Sequence, residues 1–232
     1  MQIEKIMKPK SNLREKISQK AAEILLDIGA INFNTKTPFK LTSGKLSPVY
    51  CDCRKVISFP KERTKLINYA INLLEEKTYF NSLQNIAGGE TAGIPFAAFI
   101  SYKLKLPMTY IRKKSKGFGR KEQIEGVVKN KQKIILVEDL ITDGGSKWGF
   151  IESLIKKKAI VKAVLVIFNY GIFTNKLKFN NKSIDLIYLT NWRSILEVAM
   201  IKNKIKVNDI KIIHNFLNDI GVKNLKSFQQ IP

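Results

Sequence analysis

A run of thirteen residues near the middle of the chain, Ile134-Ile-Leu-Val-Glu-Asp-Leu-Ile-Thr-Asp-Gly-Gly-Ser146, brings two adjacent acids, a glycine pair and two hydroxyls within reach of one ligand. Its apolar start reads as a buried strand that ends on Glu138 and Asp139. The loop Thr142-Asp143-Gly144-Gly145-Ser146 follows, and then a helix. Glycines let backbone N–H groups approach a phosphate, the Thr142 and Ser146 hydroxyls can donate, and the helix N-terminus adds partial positive charge. Two adjacent carboxylates would repel that phosphate. They suit ribose hydroxyls, or a Mg²⁺ ion shared with a phosphate. The run therefore predicts a sugar phosphate as ligand. It is not a Walker A loop, because no Gly-Lys-Ser/Thr follows a four-residue gap.

The second candidate is a cluster of cations. Residues 101–133 hold eleven Lys or Arg against Glu122 and Glu125, a local excess of +9. A solvated face is the usual reading of such a run. This one lies between two apolar segments and contains Gly117 and Gly119, which allow it to move.

The Ile134–Ser146 run resembles the phosphoribosyl-diphosphate motif of the type I phosphoribosyltransferases. Three further segments, in the same order, resemble the orotate phosphoribosyltransferases within that group. Phe39-Lys-Leu-Thr-Ser-Gly-Lys-Leu-Ser-Pro-Val-Tyr-Cys-Asp-Cys-Arg54 is similar to their N-terminal base segment. Ala87-Gly-Gly-Glu-Thr-Ala-Gly-Ile-Pro95 is similar to their diphosphate turn. Tyr110-Ile-Arg-Lys-Lys-Ser-Lys-Gly-Phe-Gly119, with Ile124-Glu-Gly126, is similar to their mobile catalytic loop. The resemblance spans roughly Ser11 to Leu189.

What it implies can be carried over by position. Lys116 is the expected catalytic lysine. Arg112 and Lys113 match the diphosphate-binding pair, and Glu90 and Thr91 the diphosphate turn. Glu138, Asp139, Leu140, Ile141, Thr142, Asp143, Gly144, Gly145 and Ser146 match the phosphoribosyl cradle. Thr42, Ser43, Gly44, Tyr50 and Cys51 match the lining of the base pocket, with Thr142 also touching orotate. The implied reaction joins orotate to 5-phosphoribosyl 1-diphosphate with release of diphosphate. Mg²⁺ is the implied cofactor, bound through the substrate diphosphate with Glu138 and Asp139 as candidate ligands. The implied assembly is a homodimer whose mobile loop is shared across subunits. Cations in that loop would meet negative charge growing on the leaving diphosphate. The chain also departs from the pattern. Gly117 and Phe118 follow Lys116 where many members have Asp and His, and Thr42 stands where many have lysine. Phe168-Asn169-Tyr170-Gly171 offers no arginine for the orotate carboxylate, which leaves Lys45 or Arg54.

These residues need a frame to position them, and the hydropathy pattern supplies one. Apolar positions recur at helical spacing from Ser11 to Ile28, with Gly29 as the stop. Pro60 starts a helix to about Lys77. Strands at 85–88, 107–112, 133–140, 161–168 and 184–189 alternate with helices at 91–104 and 146–158. This predicts an α/β class with a mostly parallel central sheet flanked by helices, ligands lying at the strands' carboxyl ends. The type I phosphoribosyltransferase fold implied by the resemblance adds a small N-terminal hood and a C-terminal helical extension. The expected divisions of one compact unit are 1–84 for the N-terminal helices and base hood, 85–190 for the α/β core and 191–232 for the extension. In that extension 201–207 and 210–220 read as a helical pair.

Composition closes off several classes. The 232 residues carry 41 Lys or Arg and 19 Asp or Glu, a formal charge of +22, with 44% hydrophobic residues. Such a chain can bury a sizeable core, so global disorder is excluded. No apolar run approaches a membrane span, and MQIEKIMKPK lacks the apolar stretch of a secretory signal, so a cytoplasmic protein without membrane partners is expected. Cys51 and Cys53 are too few for a zinc site and read as reduced thiols. His214 is assigned no chemistry. The charge raises a nucleic-acid-binding regulator on the same fold as an alternative, with a phosphoribosyltransferase for another base as the other. Outside 101–133 the lysines are diffuse and lack aromatic interleaving, so nucleic acid is not the expected partner.

Overall fold

The computed structural model describes residues 13–41, 44–114, 123–179, 182–223 and 225. The elements in chain order are α1 (Leu13–Asp27), β1 (Ile31–Phe33), β2 (Phe39–Lys40), β3 (Leu46–Ser47), β4 (Val49–Cys51), α2 (Pro60–Glu75), β5 (Asn85–Gly89), α3 (Gly93–Leu104), β6 (Met108–Ile111), β7 (Ile124–Glu125), β8 (Lys133–Ile141), α4 (Gly145–Lys156), β9 (Ile160–Asn169), β10 (Lys176–Phe179), β11 (Lys182–Asn191), α5 (Trp192–Ile201) and α6 (Val207–Asp219). Among the described residues the main sheet runs β10-β11-β9-β8-β5-β6-β7. The pairs β11–β9, β9–β8, β8–β5 and β5–β6 are parallel, and the edge strands β7 and β10 are antiparallel. The expected mostly parallel sheet is present.

The central strands read as unbroken apolar runs because both faces are covered. Along β8, Ile135 and Val137 face the core built with α1, α2, α3 and α5, whereas Ile134 and Leu136 face Phe150, Ile151 and Leu154 of α4. Gly29 takes a φ of +66° after α1, the left-handed stop its position predicts. Phe168, Tyr170 and Trp192 pack edge to face with ring centroids 5.0–5.6 Å apart. They fasten the end of β9 to the start of α5.

Several expectations are corrected. The strands β1, β7 and β10 did not stand out in sequence, since each is short and lies at an edge or in a small separate sheet. The C-terminal helices fall at 192–201 and 207–219, so residues 202–206 connect them instead of belonging to a helix. Asn203, with a φ of +53°, turns the chain there. Among the described residues no helix is long and apolar enough to cross a membrane. His214 is buried in α6, with Nε2 3.2 Å from the Leu225 carbonyl oxygen, which is a packing role.

Candidate active site

The carboxyl ends of β5, β8 and β9 converge on one edge of the sheet. β8 runs into Thr142-Asp143-Gly144 and then α4, as the sequence predicts. Gly144 has a φ of +82°, a conformation that an L side chain adopts only with strain, and a Cβ there would lie 3.0 Å from the Trp148 ring. The Asp143 carboxylate accepts from the Gly145 N–H at 3.1 Å and from the Thr142 hydroxyl at 3.3 Å. The Gly145 N–H in particular holds its carboxyl below the usual range, and it braces the loop. Trp148 stacks on Phe179 and meets Phe173 edge-on, so the first turn of α4 stands on an aromatic base. The turn presents backbone N–H groups at a helix N-terminus, the arrangement that binds phosphate.

Glu138 and Asp139 alternate across the strand and meet different surroundings. Asp139 is half-buried, and its Oδ1 accepts from the Leu140 N–H at 2.8 Å. Glu138 is only 4% exposed. Its Oε2 lies 3.5 Å from Lys147 Nζ, and its Oε1 is buried without a hydrogen-bond partner among the described residues. Burial pushes the Glu138 carboxyl up to about 8, with Lys147 pulling the other way. The acid open to a ligand is therefore Asp139, and Glu138 lies beneath it.

The base segment reaches the same edge. Tyr50 and Cys51 sit on β4, where the Tyr50 ring is 5.7 Å from Phe39. Cys51 and Cys53 are free thiols with their sulfurs 3.4 Å apart. The Cys53 thiol is pushed up by its hydrogen bond to Cys51, by burial and, among nearby charges, by Asp139. Arg54 Nε is 2.9 Å from Asp52 Oδ1, and its Nη2 donates to the Tyr50 hydroxyl at 3.4 Å. Asp52 foremost, with Tyr50 and Asp139 adding to it, raises the Arg54 pKa. Of the two candidate carboxylate partners, Arg54 is the one joined to Tyr50; Lys45 is exposed in the turn beside Gly44. Thr42 and Ser43 lie outside the described residues, as does the Ser146 side chain.

The turn after β5 completes the edge. A Cβ on Gly89 would stand 1.8 Å from Glu138 Oε1, and one on Gly93 2.2 Å from the Val137 carbonyl oxygen, so only glycine permits this turn to press on β8. Glu90 Oε2 accepts from the Lys113 N–H at 2.7 Å, and the Glu90 N–H donates to the Ile111 carbonyl oxygen at 2.8 Å. These bonds seat the root of the cationic segment against Glu90. Arg112 lies 3.8 Å from Glu125, with its Nε buried and without a hydrogen-bond partner among the described residues. Lys116, Gly117, Phe118 and Gly119 lie outside the described residues. The structure thus brings Glu90, Thr91, Arg112, Lys113, Asp139 and Thr142–Gly145 to one edge, with Tyr50–Arg54 beside Asp139. Sequence reasoning passed over Lys147. Its signal was a lysine in the first turn of a helix, where the helix dipole disfavours a cation.

Among the described residues no group of three His, Cys, Asp or Glu could hold a metal. Asp139 with Glu138 behind it is a donor set that fits a divalent cation only if the substrate supplies further oxygens.

The phosphoribosyl transferase domain family matches residues 60–186. A protein of Ruegeria sp. (strain TM1040) named orotate phosphoribosyltransferase is 43% identical over 206 residues, covering 88% of this chain and 91% of that protein. One of the same name from Dinoroseobacter shibae is 44% identical over 85% of this chain and 88% of its own. The crystal structure of orotate phosphoribosyltransferase from Aeropyrum pernix is similar with a TM-score of 0.60 and 26% identity, over 76% of this chain and 96% of that one.

Proposed function

The chain belongs to the orotate phosphoribosyltransferases, and from that membership we propose how its residues share the transfer of a phosphoribosyl group to orotate. The enzyme is a pentosyltransferase that forms orotidine 5′-monophosphate and diphosphate in pyrimidine biosynthesis. One observation carries the division of roles: the turn at 53–58, which begins with Cys53 and Arg54, packs against β8, the strand that carries Asp139. The sugar-binding acid and the base segment are therefore neighbours at one end of the sheet.

The 5′-phosphate sits on the N–H groups of the Thr142–Ser146 loop and the start of α4. Asp139 accepts from the ribose hydroxyls. The diphosphate lies on the Glu90–Thr91 turn with Arg112 and Lys113 beside it, and Lys116 is assigned as the catalytic cation. Orotate N1 forms the new bond to C1 as the C1–O bond to diphosphate breaks, and the N1 proton leaves to solvent or to the released diphosphate. The sugar passes through an oxocarbenium-like state while charge collects on the leaving group. One cation at 4 Å from that charge is worth about 4 kcal/mol at an effective dielectric of 20, before desolvation. Closure of the loop also keeps water from C1.

Mg²⁺, when bound with the diphosphate, would supply further neutralisation of that charge; Asp139 is the residue that would hold it, with Glu138 buried behind and paired to Lys147. A homodimer sharing the mobile loop across subunits and a reducing cytoplasmic setting complete the reading.

Arg54 is assigned to the orotate carboxylate, supported by its hydrogen bond to Tyr50. Arg54→Ala should raise the KM for orotate about tenfold, the loss expected for a charged partner, while the KM for phosphoribosyl diphosphate stays near wild type. An unchanged orotate KM would move the role to Lys45.

A further inference from the structure

Lys147 belongs to no motif that points to the reaction, and helix preference does not explain it. It lies in the first turn of α4, where its N–H donates to the Gly144 carbonyl oxygen at 2.9 Å. A cation at that end opposes the helix dipole. Its side chain turns back into the protein instead of outward. The Nζ lies 3.5 Å from Glu138 Oε2, with the two side chains only 11% and 5% exposed. A buried ion pair of this kind gains little stability over an apolar pair of equal volume, so stability alone gives no reason for it.

Its surroundings supply a reason. The second Glu138 oxygen is wedged against Gly89, so closely that a single Cβ there would overlap it at 1.8 Å. Gly89 is the last residue of β5 and leads directly into the Glu90–Thr91 turn. Asp139, the acid open to ligand, is the next residue along β8. One carboxylate thus touches the helix that carries the phosphate cradle and the strand that carries the diphosphate turn, and it adjoins the sugar-facing acid. We propose that Lys147 is a positioning residue for phosphoribosyl diphosphate: through Glu138 it fixes the spacing between the 5′-phosphate cradle and the diphosphate turn. This deepens the functional reading above and rests on it.

The test compares Lys147→Met, Lys147→Arg, Glu138→Gln and the Glu138→Gln/Lys147→Met pair. Lys147→Met should raise the KM for phosphoribosyl diphosphate about tenfold or more, the scale of a small misplacement, with the orotate KM within about twofold of wild type. Lys147→Arg should recover most of the loss. In the Glu138→Gln background, Lys147→Met should add less than about twofold, because the proposed effect on phosphoribosyl diphosphate runs through that carboxylate. A full additional tenfold loss in that background would mean that Lys147 acts on the substrate by another route and would overturn the proposal. So would a near-normal phosphoribosyl diphosphate KM in Lys147→Met, or equal losses for both substrates that Lys147→Arg does not repair. If the single Met variant fails to fold, the double variant, which buries no lone charge, is compared with Glu138→Gln by the same criterion. Calorimetric Kd values for phosphoribosyl diphosphate should follow the same order. They need no orotate chemistry, so absence of wild-type turnover would count against the activity and leave the positioning role separately tested.

Discussion

At the scale of single residues, the site is built from close approaches that tolerate little change. Gly89 is the sharpest. Any side chain there meets Glu138 Oε1 at 1.8 Å and the Phe150 ring at 2.7 Å, and both neighbours are held inside the protein. Gly89→Ala should therefore destabilise the fold by about 3 kcal/mol, at the upper end for overpacking, and abolish binding of phosphoribosyl diphosphate. A thermal melt read with calorimetric titration checks it, and a variant that melts and binds like wild type would show that the turn and β8 are looser than described. Asp143 offers a milder case. Replacing it by Ala removes the acceptor for the Gly145 N–H and should lower stability by about 1 kcal/mol, as loss of a helix-start acceptor does. A loss below a few tenths of a kcal/mol in denaturant unfolding would deny it that bracing role. At this scale the cradle was legible in sequence, because acids, hydroxyls and glycines fall in one run. The different fates of Glu138 and Asp139 were not. Two adjacent acids look alike in sequence, and only the packing of Gly89, Phe150 and Lys147 buries one and leaves its neighbour open.

At the scale of elements, the parallel strands were legible because burial on both faces leaves long apolar runs, as in Lys133–Ile141 and Ile160–Asn169. β10 was not, since its sequence Lys-Leu-Lys-Phe, on a sheet edge, carries as many cations as apolar residues. Beyond the β10–β11 ladder, Asp185 of β11 ties that edge to the body. Its carboxylate pairs with Lys176 of β10 and Lys77, and it accepts from the Tyr79 hydroxyl at 3.0 Å. Burial raises the Asp185 pKa, but these partners outweigh it and hold the carboxyl below its usual range. A carboxyl depressed in the folded state stabilises above its unfolded pKa, near 4, and loses that contribution as pH falls through the folded value. Asp185→Asn should thus cost about 2 kcal/mol at pH 7, the size of hydrogen bonds to a charged group, and the gap from wild type should close as pH drops below about 4. Urea unfolding at both pH values reads this directly. A gap that stays constant with pH would show that the ionised form of Asp185 contributes nothing.

At the scale of the whole molecule, the charge of +22 divides into a cluster at 101–133 and a diffuse background. Arg112 and Lys113 of the cluster lie at the diphosphate turn. Many of the remaining lysines are exposed and repel one another, which should destabilise the compact state at low ionic strength. Raising salt from about 0.01 M to 0.2 M shortens the screening length from about 30 Å to under 10 Å and should raise Tm by a few degrees. A falling Tm would mean that surface ion pairs such as Lys202–Asp27 and Lys204–Asp27 outweigh the repulsion. We propose that this sheet edge transfers a phosphoribosyl group to orotate with Lys116 as its catalytic cation. The most direct measurement is the loss of orotate ultraviolet absorbance after addition of phosphoribosyl diphosphate and Mg²⁺, for wild type and for Lys116→Ala. Rapid, phosphoribosyl-diphosphate-dependent loss in the wild type that slows by about 100-fold or more in Lys116→Ala is the predicted result. No loss of orotate with the wild type, or equal rates for both proteins, would contradict it.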